Sequence, residues 1–159
     1  MKIQPMTGKV PSQAAVLCGG RGNRLRPFTD TRPKPMVEVA GRPFLEHLLI
    51  QLAEQGITRF VLMTGYLGEQ IHEFFGTGSR WGWDIQYSHG PEDWDTGRRV
   101  VEAAGLFDDS FLLLYSDNFA LIDLSVLVGC HAETGRSLTV TLKQKSGGNV
   151  RFSPETNLV

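Results

Sequence analysis

Disulfide chemistry is nearly absent from this chain. Cys18 and Cys130 are its two cysteines, too few for a disulfide framework and in keeping with a reducing compartment. The four histidines, His47, His72, His89 and His131, stand far apart and share no metal-ligand spacing with a cysteine, so no zinc site is expected. No apolar run approaches the length of a bilayer crossing. The opening "MKIQPMTGKVPSQ" has no continuous apolar stretch and carries two prolines, which does not fit a signal peptide; the expectation is a cytoplasmic protein. A net charge of −1 leaves no overall basic surface for nucleic acid or an anionic membrane. Internal repeats, low-complexity tracts and a nucleophile–base set are also missing.

What is present is ordinary globular material. With 159 residues, 41% hydrophobic and 21% charged, the chain has the length and composition for one domain with a sizeable core. From residue 13 short apolar runs alternate with amphipathic segments. "AAVLC", "RFVLMTGY", "WDIQYS" and the strongly apolar "FLLLYSDN" read as strands, and "PMVEVAG" as a short one. "RPFLEHLLIQLAEQG" places Phe44, Leu45, Leu48, Leu49 and Leu52 at helical spacing with Gly56 as its stop. "GEQIHEFFG", "GRRVVEAAGL" and "LSVLVGCHAETG" read as further helices. "SLTVTLKQK" alternates like a strand, and "SGGNVRFSPETNLV" like a hairpin leading into another. Strands alternating with helices predict an α/β domain, a doubly wound and mostly parallel sheet, with ligands at the carboxyl ends of the strands. The expected division is an N-terminal extension over residues 1–12 and one domain over residues 13–159, incomplete at its C-terminus.

Charge is concentrated in "VLCGGRGNRLRPFTDTRPKPM", residues 16–36. Arg21, Arg24, Arg26, Arg32 and Lys34 face only Asp30 there, a local charge of +4. Gly19, Gly20 and Gly22 follow a buried strand and can turn their N–H groups toward phosphate oxygens. Pro27, Pro33 and Pro35 lower the entropy cost of holding the cations together. The P-loop pattern GxxxxGK[ST] is absent, and the dinucleotide pattern GxGxxG fails at Leu25. The segment predicts a rigid cationic cradle for an anionic ligand.

"GGRGNRLRPFTDTRPKPM" closely resembles the GGxGTRLxPxTxxxPKPM signature of the sugar-1-phosphate nucleotidyltransferases, with Asn23 for the usual Thr and Cys18 for the usual small residue. The likeness runs on through "EVAGRPFLEHLL" and "GITRFVLMTGYLGEQIHEFFGTGSRWGWDIQYS" to "SDN". It implies a Rossmann-like fold and Mg²⁺-dependent transfer of a nucleotidyl group from a nucleoside triphosphate to a sugar 1-phosphate, releasing pyrophosphate. It further implies that Arg24 stabilises the leaving pyrophosphate, that Lys34 sits on the phosphates, and that Asp117 binds the metal. Nucleotide contacts are implied for Leu17, Cys18, Gly19, Gly20, Arg21, Gly22, Asn23, Gly65, Glu92, Thr96 and Gly97. A homo-oligomer or fusion to a further domain is compatible with it. Such a reaction joins several negative charges and needs positioning and charge neutralisation rather than a nucleophilic side chain.

At several positions two readings stand. Asp117 either holds Mg²⁺ or caps a loop through backbone N–H bonds. Gly65 and Tyr66 either line the nucleotide side or form a turn. In "SHGPEDWDTGRRVVEA", which takes the place of the family's EPLGTAGAL loop, Asp95, Arg98 and Arg99 replace small residues. Arg98 and Arg99 either reach phosphates or lie solvated in a first helical turn. Trp94 either stacks on a base or packs on its own domain, and Trp81 and Trp83 read as packing. Cys18 is either a thiol activated by the arginines or a small apolar filler. "TGRRV" resembles the TGGRL of glucose-1-phosphate cytidylyltransferases; the longer block from residue 64 resembles mannose- and heptose-1-phosphate guanylyltransferases, and GTP is the favoured substrate.

Overall fold

The computed structural model describes residues 9–142. Its centre is strand β1 (Gln13–Cys18), a run with no charged residue that is buried along its whole length. β1 pairs in parallel with β4 (Arg59–Thr64) on one side and β6 (Leu112–Tyr115) on the other, and β5 (Asp84–His89) pairs in parallel with β4. The sheet order is β5-β4-β1-β6. The chain builds outward from β1 through helix α1 (Phe44–Ala53) to β4, and through α2 (Gly68–Phe75) to β5. It then returns through α3 (Thr96–Glu102) to the opposite side of β1. The strand order therefore reverses at β1, and its carboxyl end, with that of β6, opens onto the crevice where such sheets bind ligands.

Alternation along β1 divides the core between two faces. Ala14, Val16 and Cys18 pack with Leu45, Leu48, Leu49 and Leu52 of α1, Ile71 and Phe75 of α2, and Leu124 at the start of α4 (Leu124–Thr134). Ala15 and Leu17 pack with Val61, Met63 and Ala103 on the face covered by α3. Phe60 of β4 meets Trp83 edge to face at 5.4 Å, and Trp81 stacks on Trp83 at 5.1 Å. The packing reading of Trp81 and Trp83 holds. Buried Gln13 donates from Nε2 to Leu106 O at 3.0 Å and accepts at Oε1 from Asp108 N at 2.8 Å. One amide thus fixes the approach to β6.

Two expectations change. "FLLLY" does not become a core strand: among the described residues β6 is an edge, with Leu113 45% and Tyr115 50% exposed. Its apolar run cannot reveal whether a neighbour lies on both sides. "PMVEVAG" supplies the expected short strand, β2 (Glu38–Val39), paired antiparallel with β3 (Arg42–Pro43) apart from the main sheet. Residues 137–142 form no strand, and the apolar members Leu138, Val140 and Leu142 are exposed. The rest of that predicted strand and the hairpin over 146–159 lie outside the described residues.

Candidate nucleotide-binding site

The cradle begins where β1 ends. Gly19 is buried, Gly20 is exposed, and Gly22 turns the chain with φ +67°, a left-handed conformation that favours glycine. A Cβ on Gly22 would also lie 2.8 Å from Cβ of Lys34, so the glycine lets the lysine stem pack against the turn. The Gly22 carbonyl accepts from Leu25 N at 2.8 Å and from the buried Thr29 hydroxyl at 3.0 Å. Asn23 and Arg24 lie exposed in a 3-10 turn, Asn23–Leu25, and Lys34 opens a second, Lys34–Met36, in which Pro35 is buried. The prolines of the sequence pattern thus sit on short tight turns.

The local excess of positive charge is answered by acids from elsewhere in the chain. Lys34 Nζ donates to Asp117 Oδ2 at 2.5 Å, closing a gap of 83 residues. Arg21 meets Glu92 at 2.7 Å, which holds its guanidinium above its ordinary pKa through the hydrogen bond and the charge. Arg26 pairs with Asp30 at 3.3 Å and Arg32 with Glu38 at 3.4 Å. Among the described residues Arg24 has no carboxylate partner. Arg21 also lies over the Tyr66 ring at 5.0 Å, and the Tyr66 hydroxyl donates to Thr29 O and Asp30 O, each at 3.2 Å. The Gly65–Tyr66 turn therefore braces the basic loop, and buried Gly65 abuts Gly19, whose carbonyl accepts from Tyr66 N at 3.2 Å.

The loop after β5 supplies Glu92 to Arg21 and then starts α3. Asp95 caps that helix, accepting from Arg98 N at 2.7 Å, and Thr96 and Gly97 are exposed in its first turn. A Cβ on Gly97 would meet nothing nearer than Asp95 Oδ1 at 3.4 Å, so this approach is open. Arg98 is exposed, paired with Glu102 at 2.5 Å and lying over Trp94 at 5.5 Å. The Trp94 ring packs on Gly90, where an added Cβ would overlap it; it covers its own loop.

Arg99 departs from both readings given above. It is 5% exposed and makes no ion pair among the described residues; it donates from Nη1 to Thr64 O at 2.7 Å and from Nη2 to Pro91 O at 2.7 Å and Gly19 O at 3.5 Å. Burial lowers its pKa, opposed by the charge of Asp93. The signal available in the sequence was the replacement of a small residue at this position; the carbonyls that receive the side chain come from three separate loops.

Leu17 and Cys18 are buried at the end of β1, and the backbone N–H of Ser116 binds Leu17 O at 3.2 Å, drawing the Asp117 loop against the cradle. The activated-thiol reading of Cys18 does not hold. Burial pushes its pKa up to about 12, outweighing the Ser116 hydrogen bond and the Arg99 charge. A chromogenic thiol reagent at pH 8 is therefore expected to label exposed Cys130 in the native protein and both thiols after denaturation. Rapid labelling of Cys18 in the folded state would contradict the packing. Because the folded thiol keeps its proton where an unfolded one loses it, Cys18 makes the protein less stable as pH rises from its ordinary 9.0 toward about 12. Half-buried Tyr87, raised by burial from 10.0 to about 12, acts in the same direction.

The metal reading of Asp117 meets a sparse donor set. Among the described residues no group of three His, Cys, Asp or Glu side chains converges. An exposed single carboxylate at the strand end still suits Mg²⁺, which takes one or two protein carboxylates and fills its remaining positions with water and phosphate oxygens.

A buried central strand, a glycine turn packed on a lysine stem, and an aspartate paired with that lysine from the end of β6 sit on a mostly parallel, Rossmann-like α/β domain. The chain belongs to the nucleotidyl transferase family, whose model matches residues 13–150; its relatives include sugar-1-phosphate nucleotidyltransferases. It is 34% identical over 143 residues to the UTP–glucose-1-phosphate uridylyltransferase of Synechocystis sp., covering 82% of this chain and 37% of that protein. It is 38% identical over 130 residues to the mannose-1-phosphate guanylyltransferase of Mycobacterium tuberculosis, covering 81% and 36%. A probable glucose-1-phosphate cytidylyltransferase of Bacillus subtilis is 32% identical, covering 81% and 59%. The chain thus spans between about a third and three-fifths of these relatives' lengths. Among solved structures, HddC from Yersinia pseudotuberculosis complexed with GMP-PN superposes with a TM-score of 0.67 at 25% identity, covering 75% of this chain and 53% of that one. No helix among the described residues is long and apolar enough to cross a membrane.

Proposed function

We propose that the protein carries out Mg²⁺-dependent transfer of a nucleotidyl group from a nucleoside triphosphate, with GTP favoured, to a sugar 1-phosphate. The observation that carries this reading is the meeting of Lys34 and Asp117 beside the glycine turn, at the point where the strand order reverses. Arg24, exposed and free of carboxylates among the described residues, is the group assigned to the leaving pyrophosphate. Lys34 neutralises the phosphates on the other side, and Gly19, Gly20, Gly22 and Asn23 bring backbone N–H groups to them. Asp117 would hold the Mg²⁺, which when bound offsets charge on the phosphate oxygens. In the reaction a phosphate oxygen of the sugar 1-phosphate bonds to the α-phosphorus, and the bond from that phosphorus to the bridging oxygen breaks. Pyrophosphate leaves with the electron pair. Glu92 in the loop after β5, and Thr96 and Gly97 in the first turn of α3, are the residues assigned to the base. The preference for GTP is supported by the resemblance of residues 64–88 to guanylyltransferases and by the likeness to HddC.

A second reading, a module that binds triphosphate without turnover, draws support from the Lys34–Asp117 pair. That contact must open before either group can serve phosphate or metal. Thermal melts with GTP, CTP, UTP, dTTP and ATP, each with and without Mg²⁺, test the binding step common to both. Ligand at 100 times its Kd is expected to add about 2.7 kcal/mol, a shift of roughly 5–10 °C. Pyrophosphate release with sugar 1-phosphates then separates enzyme from module. A cooperative melt unmoved by every triphosphate would overturn both.

A further inference from the structure

We infer that Arg99 is a positioning residue for the nucleotide site, a buried guanidinium that ties the phosphate loop to the loop assigned to the base. The inference rests on the function proposed above. Its three acceptors are Gly19 O in the cradle, Thr64 O at the end of β4, and Pro91 O in the loop after β5. These acceptors span residues 19 to 91 of the chain and meet at one planar fork. The surroundings are shaped to receive it. A Cβ on Gly19 would overlap the guanidinium, and one on Gly65 would lie 2.6 Å from Nη2 and 2.8 Å from Gly19 O. Two glycines of the nucleotide site thus leave the space that Arg99 fills.

Charge makes the arrangement specific. A cation in a nearly buried place is costly unless its N–H groups are satisfied, and here backbone carbonyls satisfy it while no carboxylate lies within ion-pair distance among the described residues. Its charge is therefore left to act on the cradle beside it. The planar geometry matters as much as the charge. Arg directs several donors from one rigid group, whereas the ammonium of Lys is a point charge that cannot reach three separated carbonyls in the same way. The EPLGTAGAL form of the family motif has a small residue at this position and the TGGRL form an arginine; here the arginine side chain spans the gap between the backbones. The hydrogen bonds of Arg99 go to these backbone carbonyls. It acts by holding the loops assigned to phosphate and base at a fixed separation.

The test compares wild type, Arg99→Lys and Arg99→Met by calorimetric titration with GTP, CTP and UTP, and with tripolyphosphate, each with Mg²⁺. Titrations are run at a temperature where the melts show all three folded. Arg99→Met is expected to weaken the bound nucleoside triphosphate by about 10-fold or more, with Arg99→Lys intermediate. The loss for tripolyphosphate is expected to be smaller, because it needs the cradle alone while a nucleotide needs both loops in register. A general loss of stability would not produce that split. Should Arg99→Met not fold, Arg99→Lys carries the comparison. In parallel, Gly19→Ala is expected to lower the melting temperature sharply with Arg99 present and much less in the Arg99→Met background.

Variants that bind the same triphosphate as tightly as wild type, equal losses for nucleotide and tripolyphosphate, or a Gly19→Ala penalty indifferent to Arg99 would each overturn the inference alone. A wild-type protein that binds no triphosphate would overturn the proposed function and, with it, the site that Arg99 is said to position.

Discussion

Replacing Lys34 by alanine is expected to lower pyrophosphate release from a triphosphate and sugar 1-phosphate by about 100- to 1000-fold, the range seen when one preorganised charge-stabilising donor is removed. Two effects combine. The phosphates lose a cation held in place by a stem packed on Gly22. Asp117 also loses its partner at 2.5 Å, leaving an unbalanced carboxylate where anions must gather. Lys34→Arg is expected to recover little, since a planar guanidinium does not reproduce a compact ammonium at the end of this stem. The melt should change by no more than about 1 kcal/mol, because the pair is partly exposed and exposed ion pairs contribute little to stability. Turnover equal to wild type in a folded Lys34→Ala protein would remove Lys34 from the reaction.

Phe60→Ala is expected to remove about 4 kcal/mol of stability, the usual loss on truncating a buried phenylalanine, and to lower the melting temperature by roughly 10 °C. Phe60, the second residue of β4, is 1% exposed and paired in register with Ala14 of β1 and Ile85 of β5. Its ring fills the face between the sheet, α1 and the Trp81–Trp83 stack, and β4, paired along both sides, cannot collapse into the space it leaves. Phe60→Leu, which keeps most of the volume, should lose considerably less. Calorimetric melts of the two variants decide this. A Phe60→Ala protein as stable as wild type would mean that the face is loosely packed.

Much of the architecture was legible in the chain. Short apolar runs marked β1 and β4, the spacing from Phe44 to Leu52 marked α1, and Gly56 marked its end, because each pattern is a property of neighbours along the backbone. The cradle was legible for the same reason. Gly22 and Lys34 lie within one short segment, and the prolines between them announce a stiff turn. Reading failed where the answer depended on contacts remote in sequence. "FLLLY" has the composition of a central strand, but its place at the edge depends on what lies beyond it. The alternation of residues 137–142 predicts a strand only if another strand is there to pair with.

The amino-acid pattern alone determined the parallel α/β plan and the position of the cationic loop. Charge balance was decided only in three dimensions. Along the chain the segment carries an excess of +4; in space Glu38, Glu92 and Asp117 arrive to pair with three of its cations. Arg99 shows the same limit from the other side, a charged residue that belongs on a surface until three carbonyls converge on it. Local sequence specifies local periodicity, while burial and ion pairing are set by groups that the fold alone brings together.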